Sequence, residues 1–278
     1  MRNGLSVDVE DYFHAEAVSA TVPRERWDTL ESRVVSNTHR VLELLARCGV
    51  RATFFGLGWV AERFPELVRD IHAGGHELGC HSYWHRLVYT LTPEEFREDT
   101  HRAKRVIEDA AGVAVLGYRA PTFSLTGRSR WAVPVLAELG FRYDSSIFPI
   151  RHDYYGIPDH PRFPLSLSAQ HGVPLYEFPL STWRLLGMNL PFGGGGYLRV
   201  LPWFYTRRAL LHVNHRERQP VIAYSHPWEL DPEQPRFPLP LRARLRHYTN
   251  LRRMADRVST LLDHFQFVPL RELLPTEA

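Results

Sequence analysis

The chain has 278 residues, 44% hydrophobic and 23% charged, with a net charge of +3 and a pI near 8.9. The positive charge is mild, borne mostly by arginine and dispersed, which excludes a nucleic-acid-binding run but permits an anionic or membrane-proximal substrate. Two cysteines, Cys48 and Cys80, exclude a disulfide framework, and no apolar run reaches the ~20 residues that span a bilayer.

The length suits one large domain rather than two small ones, and an α/β barrel needs about 250 residues. The stretch from Met1 to Val7 runs into a first strand without a signal-peptide pattern, which reads as a soluble cytoplasmic protein. Leu5 to Val9 is a short β-rich run ending in the acids Asp8, Glu10 and Asp11, as a buried parallel strand ending at a site would. Ser36 to Cys48 has helical periodicity and stops at Gly49. Ala52 to Phe55 is the next strand, Pro65 to Ala73 a helix closed by Gly74-Gly75, and Glu77 to Cys80 a third strand leading into His81. Pro93 to Ala111 reads as helix, Gly117 to Arg119 as a strand end, Arg130 to Leu139 as helix and Phe141 to Tyr143 as strand.

From 148 to 202 the chain is rich in proline, glycine and aromatics and reads as a long irregular insertion covering the site. Its Gly193 to Gly196 run suits a lid hinge, a close backbone contact with ligand or a surface loop. Val221 to Tyr224 is again an apolar strand, delivering Ser225-His226-Pro227. An amphipathic helix from Leu251 to Phe265 and a closing strand at Phe267 to Leu270 complete the pattern. Strand–helix alternation at this spacing predicts a parallel sheet, open or closed into a barrel. Each polar cluster falls just past a strand's C-terminal end, where parallel α/β folds place their sites.

Four clusters carry the chemistry. Asp8 and Glu10, two apart on an extended chain, point the same way, so one acid can bind a metal while another accepts a proton. Asp11 also suits a helix cap, whereas Asp8 inside an apolar strand needs a buried partner. His81 and His85, with one carboxylate, form an open three-ligand site for a divalent metal. His76 and Glu77 read as locally paired, and Cys80 as a small buried hydrophobe. Arg119-Ala120-Pro121 places a guanidinium where it can hold a carboxylate in its ionised form. His226, at a late strand end, suits a general acid or a core histidine. Trp183, Tyr197, Trp203, Phe204 and Trp228 offer ring faces for a sugar or for the core.

Jointly the blocks Asp8-Val9-Glu10-Asp11, Thr53-Phe54-Phe55, Gly75-His76-Glu77 to His85, Arg119-Ala120-Pro121, Tyr143-Asp144-Ser145-Ser146 and Ser225-His226-Pro227 resemble the polysaccharide deacetylases of the NodB homology type, carbohydrate esterase family 4. The resemblance covers Leu5 to about Leu273. It implies a single-domain distorted (β/α)₇ barrel and metal-assisted hydrolysis of the acetamide on N-acetylated sugars. It assigns Asp8 as general base, His81 and His85 as metal ligands, Arg119 as the base's partner and His226 as general acid. It also implies one divalent ion, Zn²⁺ foremost, with Co²⁺, Ni²⁺ and Mn²⁺ suited to the same donors. Valine after Asp8, where the family pattern has a second aspartate, makes Glu10 the first choice for third ligand and Asp11 the reserve. Pro121 and Thr122 fall where substrate would sit, Thr122 offering its N–H to an oxyanion, and Tyr197 and Trp228 are the aromatic candidates.

Asp8 to Phe13, the glycine run and Ser225 to Glu229 are further similar to the subgroup associated with exopolysaccharide and exosortase systems. That similarity implies an N-acetylated, lipid-linked glycan substrate met inside the cell, peripheral to the inner face of the membrane. Two other functions fit the residues: hydrolysis of a small cyclic amide or ureide on an allantoinase-like scaffold, and carbohydrate binding without catalysis.

Overall fold

A computed structural model describes residues 1–167 and 175–275. The first half alternates β1 (Asn3–Val9), α1 (Glu16–Ser19), α2 (Val34–Cys48), β2 (Thr53–Gly56), α3 (Gly58–Arg63), α4 (Pro65–Ala73), β3 (Glu77–Cys80), α5 (Pro93–Ala111), β4 (Gly117–Tyr118), α6 (Ala132–Glu138) and β5 (Tyr143–Asp144). The second holds β6 (Leu165–Leu167), β7 (Leu175–Glu177), the hairpin β8 (Thr182–Leu185) and β9 (Met188–Pro191), α7 (Gly195–Val200) and α8 (Trp203–Leu211). It ends with β10 (Ile222–Ser225), α9 (Leu241–Tyr248), α10 (Met254–His264) and β11 (Phe267–Val268). Local chemistry sets several boundaries. Pro65 and Pro93 start their helices, Thr92 and Glu95 form a reciprocal cap, and Gly49 and Gly112 end α2 and α5 in the left-handed region.

The strands order as β10-β1-β2-β3-β4-β5-β7, all parallel, with β6 antiparallel beyond β7 and β11 against the start of β1. The sheet curls into a half-barrel, the α/β architecture expected of this sequence. The stretch 148–202 is not an irregular cover, apart from 168–174, which lie outside the described residues: it contributes β7 to the barrel wall and a hairpin beside it. No helix among the described residues is long and apolar enough to cross a membrane.

Strand alternation divides the molecule into two cores. Leu5, Val7, Val9, Phe54 and Leu78 belong to the layer shared with the helices, while Phe55, Tyr143, Phe178 and Tyr224 fill the barrel. Polar groups also face inward. Glu77, at the floor, accepts from Thr53 Oγ1, Tyr143 Oη and the backbone N–H of Arg271; burial pushes its carboxyl upward. The floor is tight, since a Cβ on Gly117 would lie 2.1 Å from Tyr143 Cζ.

Gly117→Ala is therefore expected to cost about 1–3 kcal/mol by displacing a buried ring, read as a lowered thermal midpoint. Gly127→Ala, which meets nothing within 4 Å, serves as the neutral control. A Gly117→Ala protein melting with the control would show that Tyr143 repacks freely.

Candidate active site

Three donors converge where β1 and β3 end. Glu10 Oε1 lies 2.9 Å from His81 Nε2 and 2.9 Å from His85 Nε2, and the donor atoms all lie within 4.8 Å of one another, buried. His81 Nδ1 lies 2.8 Å from the Arg119 carbonyl, so Nδ1 carries the proton and Nε2 presents its lone pair. His85 sits in a turn where Ser82 and His85 both have positive φ, 62° and 51°. Asp99, from α5, holds that turn by accepting from the N–H groups of Tyr83 at 2.7 Å and Trp84 at 3.2 Å. Two imidazoles and one carboxylate, with a carbonyl fixing one imidazole's tautomer, fit a divalent cation of the Zn²⁺ class.

Asp11 is not part of this cluster. Its Oδ2 accepts from Ser32 Oγ and from the N–H groups of Arg33 and Val34, and its Oδ1 from Tyr12 N–H. It closes the start of α2 and leaves Glu10 as the acid that converges with the two histidines. Cys80 is wholly buried, with its thiol pushed upward by burial, and stands outside the cluster as a core residue. His76 accepts from Ala52 N–H, away from the site.

Beneath the donors lies a buried ion pair. Arg119 is fully buried, and its Nη1 donates to Asp8 Oδ1 at 2.8 Å and Ser6 Oγ at 2.6 Å. Its Nε and Nη2 donate to the carbonyl and hydroxyl of Ser145, and its guanidinium carbon lies 4.4 Å from the centre of the Phe55 ring. Ser146 Oγ accepts from Ala120 N–H and donates to Asp144. Asp144 in turn is hydrogen-bonded to Glu177 across β5 and β7. Burial raises both carboxyls; Asp144 raises Glu177 further, while the hydrogen bond from Glu177 lowers Asp144, so the pair shares a proton that rests on Glu177.

His226 completes the site from the end of β10. Its Nε2 lies 3.9 Å from Asp8 Oδ2, and its Nδ1 and N–H are both bound by Glu229 Oε2, at 3.1 and 3.0 Å. Burial opposes the charged imidazole, but Glu10, Glu229 and Asp8 outweigh it and raise His226 to about 9. Glu229 is buried too, yet Arg199 Nε at 2.6 Å and His226 bring it down to about 2. Arg199, itself buried, spends its remaining donors on the carbonyls of Arg246, His247 and Thr249 at the end of α9. Glu229 was legible in the sequence, because His226-Pro227-Trp228-Glu229 has the spacing of a helix start with a reciprocal acid. Arg199 and Asp99 carried no signal, since each acts on residues distant in the chain.

The substrate candidates divide. Pro121 is buried, while Thr122 and Phe123 adopt positive φ of 53° and 51° beside the Arg119 carbonyl that orients His81. With Ser82 and His85 they concentrate unusual backbone at one rim, a frequent property of active sites. Tyr197 is half-buried against Phe148 and keeps part of its ring accessible. Trp228 does not offer a sugar platform: His226 stacks on it at 5.1 Å and His247 at 4.4 Å. Trp183 is buried against Tyr205, whereas Phe204 is exposed. The glycine run lies along β10, where Tyr224 N–H donates to the Gly193 carbonyl and a Cβ on Gly194 would meet the Tyr224 carbonyl at 2.3 Å. It is a close backbone contact, but with a strand, and neither hinge nor surface loop.

Comparison with known proteins agrees with this geometry. Residues 26–143 match the polysaccharide deacetylase family, and residues 145–275 match a domain of unknown function, DUF3473. A peptidoglycan-N-acetylglucosamine deacetylase of Bacillus cereus is 33% identical over 96 residues, 34% of this chain and 35% of that protein. The matched segment thus spans about a third of that relative. Among solved structures, a Mycobacterium smegmatis protein described as a polysaccharide deacetylase superposes with a TM-score of 0.62 at 21% identity, covering 97% of this chain and 87% of that one. The PuuE allantoinase superposes with a TM-score of 0.59 at 16% identity, covering 95% and 85%, so the fold is shared beyond sugar substrates. The chain therefore carries a polysaccharide deacetylase domain of the NodB, or carbohydrate esterase family 4, type over residues 26–143, with its sheet completed by the DUF3473 half.

Proposed function

We propose that this protein is a metal-dependent hydrolase that removes N-acetyl groups from an amino sugar in a poly- or oligosaccharide of exopolysaccharide assembly. The observation that carries the reading is the convergence of Glu10, His81 and His85 above the Asp8–Arg119 pair, with His226 facing Asp8. Glu10, His81 and His85 would hold the ion. When bound, a divalent cation supplies Lewis acidity toward the amide carbonyl and lowers the pKa of water at the site to ~7. Asp8 accepts the proton of the attacking water on the oxygen that Arg119 leaves free. His226, whose Nδ1 is engaged by Glu229, gives the Nε2 proton to the departing nitrogen. The backbone N–H of Thr122 would stabilise the oxyanion, and Tyr197 would offer its ring to the sugar. The B. cereus relative's name supports a glycan substrate, and the blocks around Asp8 and His226 support the exopolysaccharide class, reached by a protein peripheral to the membrane. Acetate release from N-acetylated oligosaccharides, run beside cyclic ureides with added Zn²⁺, Co²⁺, Ni²⁺ or Mn²⁺, tests it; an opened ureide without acetate would replace this reading.

Ligand and cap separate by substitution. His81→Ala and Glu10→Gln are expected to lose the metal by elemental analysis. Asp11→Ala should keep it and lose about 0.5–2 kcal/mol of stability, as cap removal does. Metal loss in Asp11→Ala alone would reverse the ligand choice.

Asp8→Asn should keep its metal while kcat falls by ~10²–10⁴, the contribution of a positioned base. Undiminished turnover would remove Asp8 from proton transfer.

The pH profile follows from His226. Its acid form is present below its pKa and is lost as pH rises through it, so activity should fall on the alkaline side. A cation on Glu10 cancels that residue's share of the rise, which puts the limb at or below about 9. Glu229→Gln removes a charge that raises His226 and should move the limb to lower pH. An unchanged limb in Glu229→Gln would assign it to another group.

A further inference from the structure

Between Pro235 and Arg253 the chain has six arginines, at 236, 242, 244, 246, 252 and 253, and no acidic residue. All six are exposed, and none forms an ion pair among the described residues. Several surface arginines elsewhere are matched, as in Arg63 with Asp28, Arg69 with Glu66, Arg97 with Glu138 and Arg102 with Glu62; no acid of the 235–253 segment itself is there to match these six. The same segment holds out two large apolar side chains: Leu241 and Leu245 on α9 are 61% and 56% exposed. They stand one helical turn apart, on one face, between Arg242, Arg244 and Arg246. α1, the short helix packed against α9, adds a single acid, Glu16.

The opposite side of α9 is fastened to the active site. His247 stacks on Trp228, which stacks on His226, and Arg199 joins the last carbonyls of α9 to Glu229. The exposed leucines and arginines therefore lie on the rim beside the general acid.

We infer that the outer face of α9 docks reversibly on an anionic lipid surface, bringing the mouth of the site to the membrane. Charge complementarity selects the partner's sign, and the leucines select a partner with an apolar phase beneath its charges. An acidic glycan would answer the arginines but leave Leu241 and Leu245 in water. That docking presents the site to a lipid-linked substrate rests on the deacetylase reading; the lipid contact itself does not.

The test is sedimentation of the full chain with phosphatidylcholine vesicles and with vesicles of phosphatidylcholine and phosphatidylglycerol. Wild type should pellet with the anionic vesicles alone and be released by salt. Arg242→Gln/Arg244→Gln should weaken partitioning by about 25-fold, roughly fivefold per basic residue at the surface, and Leu241→Ser/Leu245→Ser should weaken it as well. Both variants should keep the wild-type circular dichroism spectrum and acetate release from a soluble oligosaccharide. Wild type that stays in the supernatant, or pellets equally in both variants, overturns the proposal. So does a leucine variant that binds like wild type while a soluble acidic polysaccharide competes the vesicles away, since that marks a polyanion site. Absent acetate release with intact vesicle binding would sink the reaction instead and leave the docking standing.

Discussion

A fully buried guanidinium inside a parallel barrel must be neutralised and given a hydrogen-bond partner for each donor it presents, or the fold loses several kcal/mol to desolvation. Arg119 finds four such bonds on two strands or strand ends: Asp8 and Ser6 from β1, and the hydroxyl and carbonyl of Ser145 after β5. The pairing ties β1 to β5 across the barrel. The Arg119 carbonyl, pointing the other way, fixes the tautomer of His81. One residue thus orients the proposed base through its side chain and a metal ligand through its backbone. Ser146 extends the same frame by binding Ala120 N–H, with the proton-sharing Asp144–Glu177 pair behind it.

Much of this was legible because parallel strands are short, apolar and end at the site. α4 and α5 have the limits that Pro65, Pro93 and the glycines after them mark out. Asp8 and Glu10, two apart on the chain, serve one site at two depths. What sequence could not carry was decided by distant contacts. Asp11 looked like a ligand because its real partners, Ser32 to Val34, lie about a third of the way to the histidines. Trp228 looked like a sugar platform because nothing local announces that His247, 19 residues on, stacks against its ring. β7 escaped notice because a strand of 3 residues is defined by its neighbours, here β5 and β6, and not by its own pattern.

The two family matches meet near residue 144, yet the sheet does not divide there. β10, from the DUF3473 half, pairs with β1 along Gly4 to Val7, and β7 pairs with β5. The donor cluster comes from the first half, while His226, Glu229 and Arg199 come from the second. A site assembled this way requires both halves to fold together, because Asp8 and His226 face each other only through the β1–β10 pairing.

That pairing also explains how three acids and His226, crowded into one site, keep distinct surroundings. Glu10 faces two imidazoles, Asp8 faces a guanidinium, and Glu229 faces both Arg199 and the imidazole of His226. Each carboxylate has its own cation or imidazole, so no two of them compete for one proton, unlike Asp144 and Glu177. His226 stands between Asp8 and Glu229, with one ring nitrogen committed to each side. Its rise to about 9 reflects Glu229 and Asp8 on either side together with Glu10, and it favours the protonated imidazole when Glu10 carries no cation. Arg199 extends the chain of charge outward to the end of α9, so the group that holds Glu229 against the proposed general acid also anchors a basic helix.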